Sequence, residues 1–211
     1  MSAAAAPVEL LGRSSSHFTR VARIFALELG VSHSFRPVLD LTLQDPSAYA
    51  DNPALKLPVL VDEHGALFGT ENICRALLRS SGRAVAGVVM RGDVPDRAVA
   101  NAEELTLHAM SSEVALIMAQ VAGTGHIAPP KVAPSLHNCL RYLDQTLAAT
   151  LEALPRTRDF SFFEVALYCL VTHLEFRELI DPSRLRGLQD FCRRFGERGS
   201  AKATPYHFDT A

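Results

Sequence analysis

Hydrophobic and polar positions along the first eighty residues follow two different periods. Four short apolar runs bounded by glycine, proline or polar residues are typical of strands: Val8–Gly12, Phe35–Val38, Val59–Val61 and Ala66–Phe68. Two stretches have the spacing of a helical face: Phe18, Val21, Phe25 and Leu29, and then Ile73 to Leu78. The pattern predicts the order β-α-β-loop-β-β-α, with a parallel βαβ unit followed by an antiparallel hairpin.

The rest of the chain has a helical period only. We predict helices over 97–122, 134–154, 162–180 and 183–195, joined by short connections. Residues 83–96 contain Gly87, Gly92 and Pro95 and are typical of a linker. The predicted domains are therefore an α/β domain over 1–82, a linker over 83–96 and an all-helical domain over 97–211.

Composition excludes several function classes. The 211 residues are 48% hydrophobic and 21% charged, with a net charge of -2, which is ordinary for a soluble globular protein and gives no basis for binding nucleic acid. No run approaches the roughly 18 apolar residues that a membrane helix needs. Residues 1–7 lack the features of a signal peptide and predict an unstructured lead-in, so we expect a cytoplasmic protein.

Cysteine and histidine spacing argues against a metal site or a disulfide framework. The four cysteines (Cys74, Cys139, Cys169 and Cys192) are widely separated and form no C-x-x-C motif. We expect four buried, reduced thiols. The eight histidines show no H-x-x-x-H or H-E-x-x-H spacing, and no metal is expected.

The run Lys56–Leu60, followed by Gly69–Asn72, is the most informative part of the sequence. A proline in a strand occupies an edge, an end or a bulge. We predict that the Leu57-Pro58 bond is cis, which would leave the Leu57 amide and carbonyl available to an extended peptide ligand. Glu71 and Asn72 would lie at a helix start, where unpaired amides favour a carboxylate. The alternative is an ordinary strand-turn-strand-helix unit.

Three segments together resemble the cytosolic glutathione transferase superfamily, in particular its serine-type, bacterial members. They are Ser16-His17-Phe18, the run from Asn52-Pro53 to Val59-Leu60, and Phe160 to Ala166. The resemblance implies a thioredoxin-like N-terminal domain, a helical C-terminal domain, glutathione as co-substrate without a metal, and a homodimer. Ser161 and Glu164 also form a predicted capping box with a structural role.

The resemblance also implies roles for individual residues. Ser16 would donate a hydrogen bond to the glutathione thiolate, with Ser14 or Ser15 as alternatives if the loop is offset. Leu57, which precedes Pro58, would pair with the cysteinyl backbone. Glu71 would bind the γ-glutamyl ammonium, Asn72 its carboxylate and Lys56 the glycine carboxylate. The alternatives are a helix N-cap for Ser16, a first-turn pair for Glu71 and Asn72, and a solvated lysine for Lys56.

The function implied is conjugation of the glutathione thiolate to a hydrophobic electrophile. Three departures from the family pattern keep other functions open. His17 replaces the usual proline, Asn72 replaces the usual serine or threonine, and the C-terminal arginine-proline-serine pattern is degraded to Arg198-Gly199-Ser200. The alternatives are a non-catalytic glutathione-transferase-like binding or scaffold protein, and glutathione-dependent peroxide reduction with the same thiolate.

Overall fold

The computed structural model describes residues 8–82, 87–121 and 128–210. The predicted lead-in at residues 1–7, the first part of the predicted linker (83–86) and the last residue of the predicted helix 97–122 lie outside the described residues.

The N-terminal elements confirm the predicted fold class. Their bounds are β1 Val8–Gly12, α1 His17–Leu29, β2 His33–Pro37, β3 Val59–Asp62, β4 Gly65–Phe68 and α2 Thr70–Ser80. The sheet order is β2-β1-β3-β4. β1 and β2 are parallel, whereas β3 is antiparallel to both β1 and β4. This is the mixed sheet of a thioredoxin-like domain.

Local sequence explains where the helices of this sheet begin and end. Ser16 is the N-cap of α1, and Gly30 ends the helix in the left-handed conformation at φ 68°. The apolar face of α1 is buried, as Val21, Ile24 and Phe25 show. α2 packs against α1 and buries its own apolar face. A two-helix layer therefore covers the core of this domain.

The second half of the chain is helical. Its elements are β5 Val88–Val89, α3 Arg97–Val121, α4 Val132–Ala153, β6 Phe160–Ser161, α5 Phe162–Phe176, α6 Arg186–Phe195 and α7 Gly199–Lys202. α5 is apolar almost all round and is the central helix of this half. The parallel pair β5–β6 was not predicted, because Val88–Val89 lies inside the predicted linker and a two-residue strand shows no period.

One of the two hydrogen bonds of the predicted capping box is present at the start of α5. Ser161 Oγ accepts a hydrogen bond from the Glu164 amide at 3.1 Å, as expected. The Glu164 carboxylate accepts from the Ser161 hydroxyl at 2.8 Å and from the guanidinium of Arg158. The role of these residues is structural.

The chain divides into two compact units whose bounds differ from the predicted domains. The first unit contains residues 8–82 and also 198–210, and the second contains 87–121 and 128–197. The sequence pattern predicts residues 198–210 as part of the helical domain and residues 87–96 as part of the linker. Side-chain contacts that are remote in sequence, such as Arg198 with Glu28, explain the first difference.

Two further observations bear on the expectations from composition. Cys74, Cys139, Cys169 and Cys192 are free and buried. No helix in the described part of the chain is both long and apolar enough to span a membrane.

Candidate functional site

Three predicted site segments meet at one end of the N-terminal sheet. Leu11 on β1 lies opposite Val59 on β3, and Val59 lies opposite Phe68 on β4. Three segments therefore lie at the same end of the sheet: the loop after β1, the residues before β3 and the residues after β4. These are the segments that carry Ser16, Leu57 and Glu71.

The Leu57-Pro58 peptide bond is cis, as the sequence predicted. Pro58 is buried directly before β3, whereas Leu57 is half-buried. Among residues 8–82, 87–121 and 128–210, neither the amide nor the carbonyl of Leu57 has a hydrogen-bond partner. A backbone donor and acceptor are thus available at the sheet end, as an extended peptide ligand requires.

Asn52 shapes the loop that leads to Leu57. Its side chain is buried, donates to the Lys56 carbonyl at 2.8 Å and accepts from the Ala54 amide at 3.0 Å. Leu55, inside this loop, has a φ of 53°, which costs a non-glycine residue about 1–2 kcal/mol. The two Asn52 hydrogen bonds stabilise the same loop. The sequence motif that contains Asn52 does not by itself indicate this role.

The candidate γ-glutamyl site lies at the start of α2. The first intrahelical bond runs from the Ile73 amide to the Gly69 carbonyl at 3.0 Å, so the amides of Thr70, Glu71 and Asn72 precede it. Amides in this position are the ones that a carboxylate ligand can use. Gly69 has a φ of 88°, a conformation that favours glycine.

Glu71 and Asn72 already contact other groups. One carboxylate oxygen of Glu71 accepts from Arg75 Nε at 3.1 Å and Nη2 at 3.0 Å. The Asn72 side-chain amide donates to the Phe68 carbonyl at 3.0 Å. Asn72 therefore ties the helix start to the end of β4, and its backbone amide is better placed for an anion than its side chain.

Ser16 acts as the N-cap of α1, and its hydroxyl keeps its donor capacity. Ser16 Oγ accepts from the Thr19 amide at 3.3 Å. A hydroxyl has one donor hydrogen as well as two acceptor lone pairs. No acceptor for the Ser16 hydroxyl is found among the described residues. The two roles considered for Ser16 are therefore compatible.

The loop that carries Ser16, residues 13–16, is held close to α1; we call it the serine loop. A methyl group on Gly12 would lie 2.2 Å from Thr19 Cγ2, so only glycine allows this approach. The Arg13 amide donates to Thr19 Oγ1 at 3.3 Å. Ser14 is buried and its amide donates to Asp209, whereas Ser15 is half-buried.

Lys56 is exposed, and its backbone carbonyl accepts the Asn52 bond. Its side chain is exposed to solvent, which fits both an ordinary surface lysine and a lysine that binds an anionic ligand.

Comparison with known proteins identifies the N-terminal domain. Residues 10–83 match the family model described as glutathione S-transferase, N-terminal domain. A search of curated proteins found no significant match.

Several solved structures share the fold. A glutathione S-transferase from Methylobacillus flagellatus with glutathione bound is 24% identical, covers 95% of this chain and 100% of its own, and has a TM-score of 0.77. A glutathione transferase family member from Pseudomonas fluorescens with bound glutathione is 18% identical (95% and 99% coverage; TM-score 0.78). A glutathione S-transferase from Methylobacterium radiotolerans in complex with glutathione sulfonate is 21% identical (97% and 98% coverage; TM-score 0.64).

These findings identify the N-terminal domain and the fold. Residues 10–83 form a glutathione S-transferase N-terminal domain, and the fold is that of the glutathione transferase superfamily.

Proposed function

We propose that this protein is a glutathione transferase that binds glutathione at the sheet end of its N-terminal unit and conjugates the thiolate to a hydrophobic electrophile. Leu57 would bind the cysteinyl backbone, the start of α2 the γ-glutamyl end, and Ser16 the sulfur. Lys56 would neutralise the glycine carboxylate.

The observation that carries this proposal is the convergence of the three segments. The register pairs Leu11 with Val59 and Val59 with Phe68. Three kinds of binding group consequently lie at one end of the sheet. They are the backbone donor and acceptor of Leu57, the helix N-terminus at Thr70 and the hydroxyl of Ser16. An extended tripeptide with a carboxylate, an ammonium and a thiol matches these groups in chemical type.

The proposed chemistry is stabilisation of a thiolate. A free thiol has a pKa of about 8.5, and the thiolate is the nucleophile. Lowering the pKa by about two units requires roughly 2.7 kcal/mol of preference for the charged form. One hydrogen bond to a charged group is worth about 1.5–3 kcal/mol, and the N-terminus of α1 adds to it. The thiolate then attacks the electrophilic carbon, forming a C–S bond as the leaving group departs or the double bond takes up a proton.

A second candidate is a glutathione-binding protein without transferase activity. One contact favours it: the Asn72 side chain donates to the Phe68 carbonyl. Asn72 would then stabilise the fold, and glutathione would bind without activation of its thiol.

Calorimetric titration with glutathione, followed by a turnover assay with a generic aromatic electrophile, tests both candidates. The transferase predicts binding and turnover; the binding protein predicts binding alone. Cysteinylglycine is a matched ligand control, because it keeps the thiol and lacks the γ-glutamyl end. Absence of glutathione binding would contradict both candidates.

We further propose that the protein works in the cytoplasm as a homodimer, as the family resemblance implies. Sedimentation equilibrium should give twice the chain mass of 23.0 kDa. A single-chain mass over a wide concentration range would contradict the dimer.

A further inference from the structure

The last described residues of the chain pack on the helix that follows the serine loop. We call residues 198–210 the C-terminal segment. Arg198 donates to both carboxylate oxygens of Glu28 at 2.8 and 2.7 Å, and Ser200 donates to the same carboxylate. These bonds attach the first residues of the C-terminal segment to the end of α1.

Arg20 fixes the middle of the C-terminal segment. This buried residue of α1 donates to Thr204 Oγ1 at 3.3 Å and to the Ala201 carbonyl at 3.2 Å. Its guanidinium also lies 4.3 Å from the centre of the Tyr206 ring. Hydrogen bonds and a cation–π contact together hold the segment along α1.

Asp209 brings this segment to the serine loop. Its Oδ2 accepts a hydrogen bond from the Ser14 amide at 2.8 Å, and the side chain is only 7% exposed. The other oxygen lies 3.7 Å from His207 Nε2. Burial lowers the pKa of the Arg23 guanidinium, and the charge of the Asp209 carboxylate opposes this effect. A shielded carboxylate bound to a backbone amide makes a charge-assisted bond, stronger than one between neutral groups.

The bond holds the middle of the serine loop, between Arg13 and Ser16. The Arg13 amide is held by Thr19, and the Arg13 guanidinium donates to the Leu39 carbonyl at 3.0 Å. The Ser16 amide closes the turn onto the Arg13 carbonyl at 3.0 Å. Ser14, between them, is held by Asp209.

We propose that Asp209 is a positioning residue: its carboxylate holds the Ser14 amide and thereby keeps the serine loop in the conformation that presents Ser16 to the bound thiol. This role rests on the proposed transferase function. The C-terminal segment is, on this view, part of the catalytic apparatus of the N-terminal unit, although it follows the helical unit in sequence.

Two Asp209 variants test the proposal in the full-length protein. Asp209→Ala removes the acceptor, whereas Asp209→Asn keeps an oxygen for the Ser14 amide and removes only the charge. Asp190→Asn is the matched control, because this exposed carboxylate on α6 pairs with Arg193 and lies in the other unit.

Amide hydrogen exchange measures the contact itself. Asp209→Ala should speed exchange of the Ser14 amide by roughly tenfold or more, with Asp209→Asn in between and Asp190→Asn unchanged. Unchanged Ser14 exchange in Asp209→Ala would overturn the proposal.

Steady-state kinetics measures the consequence of the contact. Asp209→Ala should lower kcat by roughly tenfold through misplacement of Ser16, with KM for glutathione changed by less than about twofold. Asp209→Asn should recover part of the loss. A kcat equal to that of Asp190→Asn, or a loss confined to KM, would overturn the positioning role. A wild-type protein that binds no glutathione would overturn the proposed function, and Ser14 exchange would still decide whether Asp209 holds the loop.

Discussion

The Asn52 side chain donates to the Lys56 carbonyl at 2.8 Å, and this bond fixes the backbone just before Leu57. It closes the loop 52–56, in which Leu55 has a positive φ; Ala50 and Asp51, just before this loop, have positive φ as well. The candidate cysteinyl site therefore depends on a buried amide side chain that would not itself touch the ligand.

Asn52→Ala should destabilise the protein and weaken glutathione binding. Removing the side chain leaves the Lys56 carbonyl and the Ala54 amide without partners, at a cost of about 1–3 kcal/mol in the free energy of unfolding. Denaturant unfolding and calorimetry measure the two effects. Asn101→Ala, at an exposed position of α3, is the control and should change neither. Wild-type affinity in a folded Asn52→Ala protein would contradict the role given to this loop.

Glu71→Ala should weaken glutathione binding by more than tenfold, or about 1.4 kcal/mol. The reason is the loss of a charge-assisted bond to the γ-glutamyl ammonium, worth roughly 1.5–3 kcal/mol. Calorimetry at fixed ionic strength is the measurement.

The control for Glu71 is Arg75→Ala, which removes the same ion pair and keeps the carboxylate. That pair is partly exposed and contributes only about 0–1 kcal/mol to stability. Arg75→Ala should bind glutathione about as well as the wild type. Equal losses in the two variants would show that the ion pair matters and that Glu71 does not bind ligand.

Glu113 should make stability depend on pH. This carboxylate on α3 is fully buried, and Oε1 lies 2.7 Å from His173 Nδ1 on α5. Burial raises the pKa of Glu113 above its usual value of about 4.5, and His173 and Arg177 oppose the rise. Between the usual pKa and the raised one, the folded state holds a proton that the unfolded state releases. The free energy of unfolding should therefore fall as pH rises through that range.

Glu113→Gln should reduce this slope, because the amide does not titrate. Denaturant unfolding at several pH values gives the slope directly, whatever the overall stability of the variant. Glu104→Gln, an exposed position on the same helix, is the control and should keep the wild-type slope. A wild-type slope in Glu113→Gln would refute the assignment.

The N-terminal elements could be predicted because short-range features define them. The Val8–Gly12 run, the face containing Val21 and Phe25, and the stop at Gly30 are each visible within a few residues. The run Lys56–Leu60 ahead of a β-hairpin motivates the prediction of a cis Leu57-Pro58 bond, which the structure has.

Contacts remote in sequence could not be predicted. Asp209 meets Ser14 across 195 positions, and Arg198 meets Glu28 across 170. No pattern around Asp209 or Arg198 indicates its partner. The sequence therefore predicts residues 198–210 as part of the helical domain. Ser16 is a different case: residue type and spacing suit a cap and a thiol donor equally, and the structure shows the cap while leaving the hydroxyl hydrogen available.

Ultraviolet titration of the thiolate of enzyme-bound glutathione, in the wild type and in Ser16→Ala, is the most direct test of thiolate stabilisation by Ser16. If Ser16 stabilises the thiolate, the thiol pKa in the wild-type complex should lie about two units below that of free glutathione. It should rise clearly in Ser16→Ala, with affinity nearly unchanged. Turnover near neutral pH should fall by roughly tenfold to a hundredfold, matching 1.4–2.7 kcal/mol. An unchanged titration in Ser16→Ala, together with a loss of about 1 kcal/mol in stability, would show that Ser16 is only a helix cap and would contradict the account.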